Sequence, residues 1–123
     1  MPGRSRHIAQ AEHNERLYRT LEGFVPDYRD WQATLLFYAA LHYVDAFLAG
    51  TPAPGGLHPQ NHVQRQGYVN AMLCPINREY RLLEDVSRAA RYETQPPSDV
   101  TGLHANEFTR IRTFVRTALQ LPL

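Results

Sequence analysis

Two ionisable side chains, His42 and Asp45, lie in the middle of the apolar segment WQATLLFYAALHYVDAFLA, which covers residues 31–49. A buried carboxylate is very costly unless it is paired or hydrogen-bonded, and the downstream sequence HPQNHVQR supplies His62 and Arg65 as partners. An aspartate can fix the tautomer of an imidazole and raise its basicity, which makes an acid–base pair, while an arginine stabilises phosphate. The spacing therefore indicates four candidate catalytic residues: His42, Asp45, His62 and Arg65.

The same four residues also have a purely structural interpretation. A buried Asp45 paired with Arg65 would satisfy both charges without any chemistry, and buried polar groups generally find such partners. The sequence favours this interpretation for the pair. The deciding observation is whether His62 and Arg65 lie exposed beside His42 or are held in contacts with Asp45.

A second set of residues combines aromatic rings with positive charge. On a helix turning by about 100° per residue, Tyr38 falls on the same stripe as His42, and Arg88 and Arg91 share a later segment with Tyr92. Arginines can hold phosphates while a tyrosine stacks on a base, although such rows are usually solvated faces with local ion pairs. Adding the loop histidine, the candidate ligand-binding residues are Tyr38, His58, Arg88, Arg91 and Tyr92.

Histidine and aspartate are also ligands for zinc or iron, and His42, Asp45, His58 and His62 provide four of them. No recognised ligand motif joins these residues, and the single cysteine excludes a disulfide framework or a cysteine metal site. We therefore predict no metal ion and no cofactor. All 13 cationic residues are arginine, which excludes Schiff-base and lysine general-base chemistry.

The elements that must position these side chains are helices, because apolar residues recur at helical spacing and no useful alternating strand pattern is present. We expect five, near residues 5–21, 27–50, 61–73, 75–92 and 103–120, with Ser5, Asp27 and Asn61 as caps. The chain has 123 residues, 43% of them apolar, which suits one ordinary domain. We predict a single all-α domain over residues 1–123, folded as an antiparallel up-and-down bundle of four to five helices.

The charge and the N-terminal sequence indicate where the protein works. A formal net charge of +1 provides no bulk attraction to nucleic acid or membrane. The start MPGRSRHIAQAEHNER lacks the apolar stretch of a secretory signal, and His42 and Asp45 interrupt the only run of membrane-spanning length. We expect a cytoplasmic protein without a membrane partner.

Three segments, FYAALHYVDAFLA, HPQNHVQR and INREYRLLEDVSRAARY, resemble the HEPN superfamily of small bacterial and archaeal helical domains. The resemblance covers residues 31–92. It implies a four- or five-helix bundle, frequent homodimerisation, and roles in RNA cleavage, toxin–antitoxin pairs or phage defence.

The ribonuclease members of that superfamily carry an arginine, four to six further residues and then a histidine near the start of the last core helix. Here Pro97, Ser98 and Asp99 stand before His104, where the arginine would be needed. The spacing does occur at Arg6 and His13, on the first helix, where we interpret it as coincidence. The resemblance therefore implies the fold and no catalytic residue.

These observations predict a HEPN-like binding or assembly module. It would self-associate, as a homodimer or other homo-oligomer, and recognise RNA, a nucleotide or a protein partner in a toxin–antitoxin or defence context. The alternative is a metal-independent ribonuclease toxin with a non-standard His/Arg site. In that case His42 or His62 is the base, Asp45 orients it and Arg65 stabilises the phosphate.

Overall fold

The computed structural model describes residues 2–123, and every regular element in that range is helical. The prediction of an all-α helical bundle is confirmed. No helix within residues 2–123 combines the length and apolarity needed to cross a membrane. The elements are α1 (Arg4–Thr20), α2 (Arg29–Ala49), α3 (His62–Met72), a 3₁₀ turn (Cys74–Ile76), α4 (Asn77–Tyr92), α5 (Val100–Leu103), a π-helical turn (His104–Phe108) and α6 (Thr109–Ala118).

Two helix starts are fixed by side-chain caps. The side-chain oxygen of Asn61 accepts a hydrogen bond from the backbone N–H of Gln64 at 2.8 Å, so Asn61 caps α3 as predicted. Asp99 caps α5 in the same way, accepting from the N–H of Gly102 at 2.9 Å. This second cap starts the last helical segment at Val100, earlier than the predicted residue 103.

The predicted caps Ser5 and Asp27 are wrong. Helix α1 begins one residue before Ser5, and Gly3 occupies the cap position without a side-chain bond. Tyr28 occupies the cap position of α2, which starts at Arg29, two residues after Asp27. The carboxylate of Asp27 accepts from both the side-chain Nε of Arg29 at 3.1 Å and its backbone N–H at 3.4 Å. In both places the backbone begins its helix at a residue other than the one whose side chain is suited to cap it.

Helix α2 lies at the centre of the hydrophobic core. It packs against α1, α4 and α6, and its apolar side chains are removed from water along almost its whole length. Burying each large apolar side chain contributes about 1.5–3 kcal/mol. The large apolar face of α2 is buried throughout: Leu36, Phe37, Ala40, Leu41, Val44 and Leu48.

The segment between α2 and α3 is irregular and folds back onto the end of α2. The N–H of Leu57 donates to the carbonyl of Leu48 at 2.9 Å. Gly56 has a φ of +74°, and a Cβ atom there would overlap the carbonyl of Ala49. Only glycine fits this close approach, which places His58 beside the bundle.

Candidate functional site

Asp45 and Arg65 form a buried bidentate ion pair between α2 and α3. The Nε of Arg65 donates to Asp45 Oδ1 at 2.8 Å, and Nη2 donates to Oδ2 at 3.2 Å. The two residues are only 7% and 9% exposed. Burial acts to lower the pKa of Arg65, but the hydrogen bonds and charge of Asp45 outweigh it and raise that pKa. This geometry favours the structural interpretation of the pair, because neither charge is free to reach a ligand.

His62 continues this polar contact from Arg65 towards α4. Its Nδ1 lies 3.4 Å from Nη1 of Arg65 and 3.7 Å from a carboxylate oxygen of Glu84. Glu84 is buried and accepts a hydrogen bond from Gln66. The side chain of His62 is half exposed, yet its neighbours are partners in an ion-pair chain that fastens α3 to α2 and α4.

His42 has a partner that the sequence did not predict, His7 on α1. The two Nδ1 atoms are 3.0 Å apart. The ring centroids are 5.3 Å apart. This is about the sum of the nitrogen–nitrogen distance and the two ring radii, which means that the two nitrogens lie between the rings. The N–H of one ring therefore points at the ring nitrogen of the other. The two histidines therefore share one hydrogen bond, with the proton on either ring.

Both imidazoles of this pair favour the neutral form. Burial lowers the pKa of His42, and repulsion from His7 adds to that effect against the opposing charge of Asp45. Burial likewise lowers the pKa of His7, which Asp45 opposes and His58 reinforces. A neutral imidazole can accept a proton as a general base near neutral pH.

The histidine pair lies at one wall of an open groove of about 590 Å³ along the exposed side of α1. The side chains that line it include Arg6, His7, Gln10, His13, Arg16 and His42, and no carboxylate of the described residues 2–123 is among them. Over that range neither groove arginine forms a salt bridge. The groove is therefore a local concentration of unpaired positive charge and hydrogen-bond donors.

The carboxylates of α1 are engaged elsewhere. Glu15 accepts from His104 at 2.8 Å and from Arg112 at 2.5 Å. Glu12 lies 3.2 Å from Nη1 of Arg116. Burial alone would raise the pKa of Glu15, but His104 and Arg112 outweigh it and bring that pKa to about 2. These contacts across the bundle keep the acidic groups of α1 neutralised.

The predicted ligand-binding residues separate into three places. Arg88 pairs with Asp85 at 3.4 Å on an exposed face, in line with the structural interpretation of that arginine row. The ring of His58 lies 2.7 Å from the carbonyl of Gly55 in its own loop. Tyr38, Arg91 and Tyr92 come together at the end of α4, where the guanidinium of Arg91 is within 5.4 Å of both ring centres.

Three potential metal ligands come close together, but all three already have partners. The ligand atoms of His7, His42 and Asp45 lie within 4.8 Å of one another. The imidazoles are hydrogen-bonded to each other, and both carboxylate oxygens accept from Arg65. The quartet considered from the sequence, which included His58 and His62, does not come together in the described residues 2–123.

Sequence periodicity contains a signal for the missed histidine. The buried residues of α1 include His7, Ala11, Asn14 and Tyr18, which recur at the spacing of a core-facing helix stripe. A histidine at the first position of that stripe must meet another element. Which element it meets depends on helix packing, and the spacing within α1 does not specify that.

Comparisons with known proteins find no relative of this chain. No protein-family model matches it. Neither the curated proteins nor the solved structures contain a significant match.

Proposed function

We propose that this chain is a HEPN-like helical module that binds RNA in the groove along α1. The observation that carries the proposal is the groove lining, in which Arg6, Arg16 and three histidines occur without a carboxylate. Arginine forks suit phosphate oxygens, and such contacts dominate the affinity of nucleic-acid complexes. Because the net charge of the whole chain is only +1, a polyanion would be attracted by the positive charge concentrated in this groove.

The length of the groove suits a strand rather than a single phosphate. Arg6 and Arg16 are ten positions apart on one helix, which corresponds to about 15 Å at a rise of about 1.5 Å per residue. Between them, the amide N–H of Gln10 donates to Asn14 at 2.9 Å. The amide oxygen of Gln10 then remains as an acceptor for a ribose 2′-hydroxyl, the group that distinguishes RNA from DNA.

The test is a binding titration of labelled single-stranded RNA against a double variant, Arg6→Ala with Arg16→Ala. The matched control removes two exposed arginines of α4 that also form no salt bridge in residues 2–123, Arg78 and Arg81. We expect the groove variant to bind at least tenfold more weakly and to respond less steeply to salt. The slope should fall by about 0.7 for each phosphate that the variant no longer neutralises. An equal weakening in the control, or binding unaffected by salt, would remove the support for this groove.

The resemblance to HEPN domains adds the cellular setting to this proposal. The module would act in the cytoplasm as a homodimer, in a toxin–antitoxin or phage-defence system. Sedimentation analysis across a range of protein concentrations tests the dimer directly. A protein that stays monomeric at high concentration contradicts that part of the proposal.

One observation favours the alternative of a metal-independent ribonuclease. The neutral His7–His42 pair borders the same groove, and so do Arg6 and His13, whose spacing we interpreted as coincidence. A histidine could take the proton of a 2′-hydroxyl as its oxygen attacks phosphorus, while a second histidine protonates the departing 5′-oxygen. Asp45 and Arg65 take no part in this version, since they are buried against each other.

Cleavage assays separate the two functions. If the alternative holds, wild-type protein cuts single-stranded RNA in the presence of a chelator, and both His42→Ala and His13→Ala abolish cutting. Arg78→Ala is the control, because that exposed side chain lies on α4, outside the groove lining. Wild-type protein that binds RNA and leaves it intact refutes the nuclease and retains the binding module.

A further inference from the structure

A small cavity between the start of α2 and the end of α4 lies apart from the α1 groove. It encloses about 290 Å³ and is lined by Asp30, Trp31, Thr34, Ala90 and Arg91. Trp31 is 57% exposed, although tryptophan usually buries its large ring. An indole left open beside a cavity is a surface on which a planar ligand can stack.

Arg91 is fixed at one wall of this cavity by its neighbours. Its Nη1 donates to the hydroxyl of Tyr38 at 2.9 Å, and its Nε donates to the carbonyl of Ser87 at 3.3 Å. The guanidinium also lies 5.1 Å from the ring centre of Tyr92. No carboxylate pairs with it in residues 2–123. Its remaining N–H groups are thus held in place without an anionic partner.

Asp30 contributes the opposite chemistry. One carboxylate oxygen accepts from the adjacent N–H of Trp31 at 2.8 Å, and no cation pairs with Asp30 in the part of the chain from Pro2 to Leu123. A carboxylate only accepts hydrogen bonds. The cavity therefore offers a stacking ring, an acceptor pair and a cationic fork.

We propose that this cavity binds one guanine base. Guanine presents two donors, its N1–H and N2–H groups, side by side on one edge, which matches the two oxygens of Asp30. Its O6 and N7 atoms are the acceptors that an arginine fork prefers, which matches Arg91, and its ring stacks on Trp31. Adenine places a lone pair at N1, which the carboxylate repels, and the pyrimidines offer no pair of adjacent donors on their outer edge.

The volume agrees with a single base. Sites for drug-sized molecules occupy about 300–1,000 Å³, and this cavity falls just below that range. The biological role of this site rests on the RNA binding proposed above, because a guanine subsite would give the protein a preference for RNA sequences that contain guanine. Its chemistry can be tested without RNA.

The chain has one tryptophan, so its intrinsic tryptophan fluorescence reports on this cavity alone. Titration with guanosine should quench the emission of Trp31 to saturation, while adenosine and cytidine should bind at least tenfold more weakly. Asp30→Asn should weaken guanosine binding by about tenfold or more and abolish the preference over adenosine. Asp85→Asn, which removes an exposed carboxylate elsewhere on α4, should leave the titration unchanged.

Folding controls keep the result interpretable. Circular dichroism and thermal melting should be the same for Asp30→Asn and wild type, and Arg91→Lys supplies a second variant that keeps the charge but removes the fork. Guanosine that fails to quench Trp31, or that binds no better than adenosine, overturns the proposal. So does unchanged guanosine affinity in both variants.

The two proposals fail independently. Guanosine carries no phosphate, so the Arg6→Ala, Arg16→Ala protein should bind it like wild type. If RNA binding needs those arginines but guanosine is not bound, the groove stands and the guanine site falls. If guanosine binds specifically but RNA is indifferent to the arginines, the guanine site stands and the groove falls.

Discussion

Removing the carboxylate of Asp45 should strongly destabilise the protein. Asp45→Ala leaves the guanidinium of Arg65 buried, at 9% exposure, and removes both acceptors of its 2.8 and 3.2 Å hydrogen bonds. The ring of His62 remains beside it, at 3.4 Å. Breaking a buried pair by deleting one partner costs about 3–5 kcal/mol, and we expect a decrease of that size in the free energy of unfolding.

Urea denaturation at neutral pH measures this change, and thermal melting should follow it. For a chain of 123 residues the midpoint shifts by roughly 4 °C per kcal/mol, which gives a drop of roughly 12–20 °C. The exposed Asp85–Arg88 pair is the matched control. Its disruption by Asp85→Ala should cost at most about 1 kcal/mol, because surface ion pairs contribute little.

The double variant Asp45→Leu with Arg65→Met distinguishes a missing partner from missing volume. Replacing a buried ion pair by apolar groups of similar size is often neutral or stabilising, so this protein should recover most of the stability that Asp45→Ala removes. Surface substitutions ordinarily change the free energy of unfolding by about 0.5 kcal/mol or less. If Asp45→Ala changes it by no more than that, the two charges are not buried and interdependent.

Two predictions concern pH. The pKa of Glu15 lies at about 2 against an ordinary value of 4.5, so its contribution to stability is complete above pH 4.5 and is lost as the pH falls towards 2. Glu15→Gln should therefore be less stable than wild type at neutral pH and should lose less free energy of unfolding on acidification. If urea titrations show the same decrease with falling pH in both proteins, this prediction is contradicted. The pKa values of His7 and His42 lie below 6.5, so protonating them costs stability as the pH falls through 6.5. Because repulsion from His7 lowers the pKa of His42, His7→Asn should raise the pKa of His42 in NMR titrations, and an unchanged or lower pKa would count against repulsion between the two rings.

Local chemistry made the Asp45–Arg65 pair predictable from the sequence. A carboxylate on an apolar helix needs a partner, and Arg65 lies 20 positions downstream, on the next helix. The cap at Asn61 and the five helical segments follow from equally local signals, because capping and periodicity depend on neighbours in the chain.

Contacts between distant helices were not predictable in the same way. His7 and His42 are 35 positions apart, and Arg112 reaches Glu15 across 97 positions. Such pairs depend on how each helix is rotated about its axis when it packs, which no residue spacing within one helix determines. The lining of the α1 groove was missed for the same reason.

The polar attachment of α3 affects how the native protein moves. Only Arg65 and Val69 of this helix are buried, so little apolar area resists its detachment, and segments of this kind open locally before global unfolding. Its amide protons should exchange with solvent sooner than those of α2.

Detachment of α3 would also change the groove along α1. Arg65 is one of the charges that keep the pKa values of His7 and His42 low, and it leaves with the helix. Each opening of α3 would therefore increase the proton affinity of the histidine pair. A local opening of α3 would in this way add positive charge to the groove along α1.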